Sequence, residues 1–180
     1  MSDKTTDFGF SLELDVKAVT TEGEFEGYAS VFNIEDLGKD IVLPGAFTKS
    51  LQRRPASKVK MLRGHDPGDP VGIWTELVED AKGLRAKGRL ILETVRGRET
   101  HILMKAGALD GLSIGYRSLK DRFDRGKGTR LLEEIDLPEI SVLAFPMNPR
   151  ATVSRVKSEH AAEHARALVA EINRIKESIR

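Results

Sequence analysis

Two extended runs, VGIWTELVED (71–80) and GLRAKGRLIL (83–92), meet at the turn DAKG (80–83). Only antiparallel neighbours can be joined by so short a connection, so this stretch commits the chain to antiparallel sheet. Other segments carry a compatible signature. FSLELDV (10–16) puts Phe10, Leu12, Leu14 and Val16 on one face and Ser11, Glu13 and Asp15 on the other, the period of a half-buried strand. EFEGYASVFN (24–33) reads as its partner across a turn at Glu22–Gly23. KVKMLRGH (58–65), LSIGYRSL (112–119) and LPEISVLAFPMNP (137–149) add strands, the last running into a Pro-bounded turn. IEDLGKDIVLPGAF (34–47), punctuated by Gly38 and Pro44–Gly45, reads as a loop. DRFDRGKGTR (121–130), polar and glycine-rich, reads as a mobile loop.

Three segments have helical character. AFTKSLQRR (46–54) is a short helix ended by Pro55. ETVRGRETHILMKAG (93–107) places Val95, Ile102, Leu103 and Ala106 at roughly helical spacing, with Gly107 as its stop. In SEHAAEHARALVAEINRIKESIR (158–180), Ala161, Ala165, Leu168, Ile172, Ile175 and Ile179 form a heptad-type stripe with Ser158 as N-cap. About seven strands in mixed order with hairpins, plus three helices, point to an α+β, mainly β domain. An antiparallel sheet or closed barrel fits this order better than a parallel α/β fold.

Composition narrows the chemistry. At 180 residues, 39% apolar and 32% charged, the chain suits one soluble domain with a real core. A net charge of +1 gives no electrostatic case for a nucleic-acid partner. With no cysteine, disulfides, thiolate zinc sites and cysteine nucleophiles drop out, and an intracellular setting is favoured. MSDKTTDFGF at the start lacks the apolar core of a signal peptide. No run approaches the roughly 20 apolar residues of a membrane span. No phosphate-binding P-loop pattern occurs, and no cofactor or metal is expected.

The histidines are His65, His101, His160 and His164. HAAEH (160–164) matches an inverted zinc-peptidase pattern, but no following helix supplies a third ligand, so a solvated helix face is the better reading. His101 falls on a helix, as a surface or boundary residue. His65 ends a strand beside the loop DPGDP, a good place for a cleft. GLSIG (111–115) has the form of a nucleophile elbow, yet IGYRSL continues as strand rather than turning into helix, so an α/β-hydrolase is excluded. Acyl transfer by Ser113 needs a base and a group that fixes the base's tautomer. His65 can be the base. Strand alternation in LPEISVL puts Glu139 and Ser141 on one face, either toward solvent or lining a site.

Four blocks in order, GYASVFNIEDLGKDIVLPGAF, VKMLRGHDPGDPVG, GLSIGYR and LPEISVLAFPMNPRA, resemble the caudovirus prohead maturation serine proteases over about residues 9–155. That family is similar in fold to the herpesvirus protease assemblin, which implies a seven-stranded, mostly antiparallel β-barrel with flanking helices. The resemblance implies a catalytic domain over 1–156, and the heptad stripe beyond it marks 157–180 as a C-terminal amphipathic helix. It implies Ser113 as nucleophile, His65 as base, and a third member on the LPEISVLAF strand: Glu139, with Ser141 as the competitor. Herpesvirus relatives use a second histidine there, and none lies between residues 102 and 159. Arg63–Gly64 stands where such proteins often carry a Trp-Gln pair, a change at the pocket rim. Arg150 and Arg117 are the candidate oxyanion donors. Asp40 and Gly45 read as turn and packing residues, and Asp66 as the cap of its own loop.

The expected function is an endopeptidase that cleaves scaffold or delta segments of the capsid protein, and itself, inside the assembling procapsid in the host cytoplasm. The capsid protein is then the substrate, and the C-terminal helix fits a role in self-association or in targeting to the capsid interior. The alternative is a non-catalytic assembly scaffold with the same barrel.

Overall fold

A computed structural model describes residues 19–154. The strand expected over 10–16 and the helix expected over 158–180, with His160 and His164, lie outside the described residues. In chain order the elements are β1 (Glu24–Val31), β2 (Asp40–Val42), α1 (Thr48–Arg53), a 3-10 turn (Ala56–Lys58) and β3 (Lys60–Arg63). They continue as β4 (Pro70–Glu79), β5 (Gly83–Leu90), α2 (Val95–Lys105), β6 (Gly111–Asp124), β7 (Thr129–Leu143) and β8 (Val153–Ser154).

The hairpin at Asp80–Gly83 forms as its sequence dictates. The Asp80 carboxylate accepts from the amides of Lys82 (2.8 Å) and Gly83 (3.0 Å), closing the turn between β4 and β5. The sheet runs β2-β7-β3-β4-β5-β1-β8, with β6 on the other side of β7. Most pairs are antiparallel, but β2 and β3 both lie parallel to β7. The sheet curls into a half-closed barrel rather than a closed one. Its seam, between β1 and β6, is bridged at one end, where Leu112 N–H donates to Ala151 O and Val153 N–H to Asp110 O, each at 2.9 Å. Further along, a cavity takes the place of a ladder.

The core fills the inside of the curl. Trp74 meets Phe25 edge-to-face at 5.6 Å, and Leu84, Leu90, Leu112, Leu132, Leu137 and Ile140 are fully buried around them. Each such side chain contributes about 1.5–3 kcal/mol by leaving water. On β6 and β7 the inward residues are cross-strand partners, Leu112 with Val142 and Ile114 with Ile140. Ser113, Gly115, Glu139 and Ser141 therefore share the outer face.

Three local expectations change. Residues 121–130 are not a mobile loop: β6 continues to Asp124 and β7 begins at Thr129. The polar composition hid a two-stranded ribbon held by its backbone ladder and by charges across it, Lys120–Glu133 at 2.7 Å and Arg122–Glu133 at 3.0 Å. Within the stretch read as loop, Asp40–Val42 is a short strand on β7. Helix α2 forms, with Thr94 capping Gly97 N–H at 2.9 Å and Gly107 ending it at φ +73°. It packs through Gly97, Thr100 and Met104, however, while Val95 and Ile102 are exposed. Thr100 and Gly97 let the helix sit close to the sheet, where apolarity alone pointed to the opposite face. His101 is a boundary residue, its Nε2 at 2.7 Å from Thr20 O.

Candidate active site

β7 is the spine of the site. Ser141 is paired with Ser113 on β6 and with Leu62 on β3, and Glu139 is paired with Gly115 and Lys60. Directly opposed antiparallel residues bring their side chains within about 5 Å on one face. The register thus sets the Ser113 hydroxyl beside Ser141. Ser113 is 3% exposed, and among the described residues its hydroxyl has no hydrogen-bond partner.

The imidazole arrives from the end of β3. Gly64 and His65 both take left-handed backbone angles, each with φ +62°, and the chain turns sharply over the end of β7. Glycine does so at no steric cost, and histidine is among the few other residues that tolerate it. Gly64 N–H donates to Val142 O at 3.1 Å, and His65 N–H to the Ser141 hydroxyl at 3.0 Å. The loop closes on Arg63, whose amide donates to Asp69 O (3.1 Å) and whose Nε donates to the Asp69 carboxylate (2.7 Å). Asp66 caps the same loop through Gly68 N–H at 2.8 Å, as expected of it.

From that position His65 Nδ1 lies 2.5 Å from Glu139 Oε1. A carboxylate can only accept, so Nδ1 carries the proton and Nε2 is left as the basic nitrogen. Ser141 donates to the other carboxylate oxygen, Oε2, at 2.9 Å. Ser141 therefore holds both the backbone of His65 and the carboxylate that orients its ring. The bond to Glu139 raises the His65 pKa above its usual value, with burial pulling the other way. The His65 side chain is 38% exposed and that of Glu139 14%, so the ring faces solvent while its partner is sheltered.

The two glycines around Ser113 have separate reasons. A Cβ on Gly115 would overlap the Glu139 carboxylate, which lies across β6 at that point. A Cβ on Gly111 would come within 2.6 Å of Pro146 and 2.9 Å of Leu143 O. Glycine in a strand marks such a close approach. Sequence reading singled out Ser113, His65, Glu139 and Ser141; the structure joins the last three by hydrogen bonds and pairs Ser113 with Ser141 across the β6–β7 ladder. It missed Gly115 and Asp69. The sign of the first was a second glycine where a strand prefers a branched residue; the second had none. Asp40 was read as a turn residue, but it is buried and paired with Arg130 through two bonds, at 2.8 and 2.5 Å. Arg117 and Arg150 are both exposed, and neither guanidinium bonds to the four clustered residues. Arg150 belongs to the segment that crosses Gly111 through Pro146.

Comparisons with known proteins bear on the family and the fold. The family model for the caudovirus prohead serine protease matches residues 12–166. The prohead protease of Enterobacteria phage HK97 is 39% identical over 147 residues, 81% of this chain and 65% of that protein. The chain thus spans somewhat under two thirds of that relative's length. The prohead protease of Escherichia phage T5 is 24% identical over 161 residues, 85% of this chain and 74% of that protein. Among solved structures, the capsid assembly protease of bacteriophage T4 superposes with a TM-score of 0.56 at 15% identity, over 68% of this chain and 82% of the other. The KSHV protease, solved with a hexapeptide phosphonate inhibitor, gives 0.52 at 18% identity, over 72% and 62%. These two share the fold. The chain belongs to the caudovirus prohead serine protease family.

Proposed function

We propose that this chain is a serine endopeptidase that cleaves capsid-protein or scaffold segments, and itself, within the assembling procapsid in the host cell. The observation that carries the reading is the 2.5 Å contact between His65 Nδ1 and Glu139 Oε1, formed beside Ser113. Membership of a prohead protease family supports the substrate class.

Ser113 Oγ attacks the scissile carbonyl carbon while His65 Nε2 takes the hydroxyl proton. The carbonyl π pair moves onto oxygen, giving a tetrahedral oxyanion. Glu139 holds the ring in the productive tautomer and stabilises the imidazolium. Collapse expels the amine, which receives its proton from Nε2 and leaves Ser113 acylated. Water, deprotonated by the same nitrogen, then releases the acid and restores the hydroxyl. Ser141 is a positioning residue here, because it bonds to the base and its carboxylate and is itself fully buried. Arg150 supplies the oxyanion donor from the segment packed on Gly111, with Arg117 as the competing candidate. The C-terminal segment 157–180 serves self-association.

Co-expression with the capsid protein tests this. The wild type yields shortened capsid protein and self-cleavage fragments. Ser113→Ala leaves both chains intact, and fragments that persist in that variant overturn the reading.

A further inference from the structure

The cavity at the open part of the seam has a volume of about 90 Å³, and Ser113 forms part of its wall. Its sides are aliphatic, with Ala29, Ile34, Val42 and Ile114 among them. Its polar groups are unequal. Asp40 is neutralised by the two bonds from Arg130 and accepts a further one from Tyr116. Asp36 is not neutralised in this way. Its Oδ1 accepts the amides of Gly38 (2.8 Å) and Asp40 (2.9 Å), while among the described residues Oδ2 has neither a hydrogen bond nor an ion pair. Ser30 also lines the cavity. It is 1% exposed, and its buried hydroxyl has no partner among the described residues. A buried polar group without a partner is costly, and such groups mark sites that something else completes.

We propose that this cavity receives a basic side chain flanking the scissile bond, whose aliphatic stem lies along the Ile34 and Ile114 walls and whose charged tip meets Asp36 and Ser30. The inference rests on the endopeptidase reading and adds its substrate class. An ammonium or guanidinium supplies the donors that Asp36 Oδ2 and Ser30 Oγ lack, and it balances the one carboxylate not already paired. An acidic side chain would meet Asp36 with like charge. An aliphatic one would fill the walls but leave both polar groups unpaired.

Four proteins separate this inference from the catalytic reading: the wild type, Asp36→Asn, Ser30→Ala and Ser113→Ala. Asparagine keeps the oxygen that accepts the Gly38 and Asp40 amides, so the turn survives and only the charge is lost. The substrates are peptides scanned at both positions beside the cleaved bond, comparing lysine, arginine, norleucine and glutamate. The wild type should favour a basic residue over norleucine at one of these positions by about tenfold or more, the scale of a charge-assisted hydrogen bond. Asp36→Asn should erase that preference while still cleaving the norleucine peptide, and Ser30→Ala should weaken it. Binding of the lysine and norleucine peptides to Ser113→Ala, read by fluorescence anisotropy, should show the same ratio without chemistry. Equal use of lysine and norleucine by the wild type, or a preference unchanged in Asp36→Asn, overturns the assignment and leaves the catalytic reading standing. Undiminished cleavage by Ser113→Ala overturns the catalytic reading, while the anisotropy ratio still decides the cavity.

Discussion

Glu139 reaches His65 by lying across Gly115, the residue paired with it on β6, so the 2.5 Å contact depends on a missing side chain two positions beyond the candidate nucleophile. Gly115→Ala puts a methyl group where the carboxylate sits. The cheapest response is for Glu139 to swing away, breaking its bonds to His65 and Ser141. Peptidase activity should fall by about a hundredfold or more. Urea denaturation should show a cost of about 1–3 kcal/mol, the usual scale of overpacking. A variant that keeps full activity would mean Glu139 does not orient the base.

The pH profile reports the same pair. Glu139 raises the His65 pKa, and the base must be unprotonated to act, so activity should climb as pH passes through that raised value. Glu139→Gln removes the main cause of the shift. The acidic limb of kcat/KM should move to lower pH, while the plateau falls by about 10⁴-fold. Stability runs the other way. A histidine whose folded pKa is raised adds stability that is complete below its unfolded value of about 6.5 and is lost as pH rises through the folded value. Glu139→Gln should flatten that part of the stability curve.

Arg150→Ala should lower kcat by about 10²-fold with little change in KM, as expected for a donor that acts on the developing oxyanion. Arg117→Ala should be near wild type. Steady-state kinetics on one peptide distinguishes them, and the reverse pattern would exchange the two assignments.

Asp40→Asn breaks an ion pair between a buried carboxylate and the half-exposed Arg130 that ties β2 to β7. Because the Arg130 side chain is 42% exposed, the loss is discounted for solvent to about 2–3 kcal/mol. Glu35→Gln, which disrupts an exposed pair with Lys39, should change stability by less than about 0.5 kcal/mol. Chemical denaturation of both variants checks the contrast.

Much of this was legible in the chain because it depends on local pattern. Extended runs bounded by turn residues marked β1, β3, β4 and β5, and the DAKG turn fixed the hairpin. Period two on LPEISVL put Glu139 beside Ser141 without any fold. What escaped depends on long-range pairing. The ribbon at 121–130 has no apolar face to announce it and is held by charges from two strands. The three residues of β2 are too few to show a period. The packed side of α2 is set by Gly97 and Thr100, chosen for close approach rather than apolarity. Asp69 works through Arg63, a pairing visible only once the loop between β3 and β4 closes.

The most direct test is covalent labelling. The wild type and His65→Ala are treated with a fluorophosphonate, digested and mapped by mass spectrometry. The wild type should carry one adduct, on the peptide containing Ser113, and His65→Ala should carry none. An adduct on a different serine, or labelling of Ser113 that does not depend on His65, would contradict the assignment of these residues as one catalytic unit.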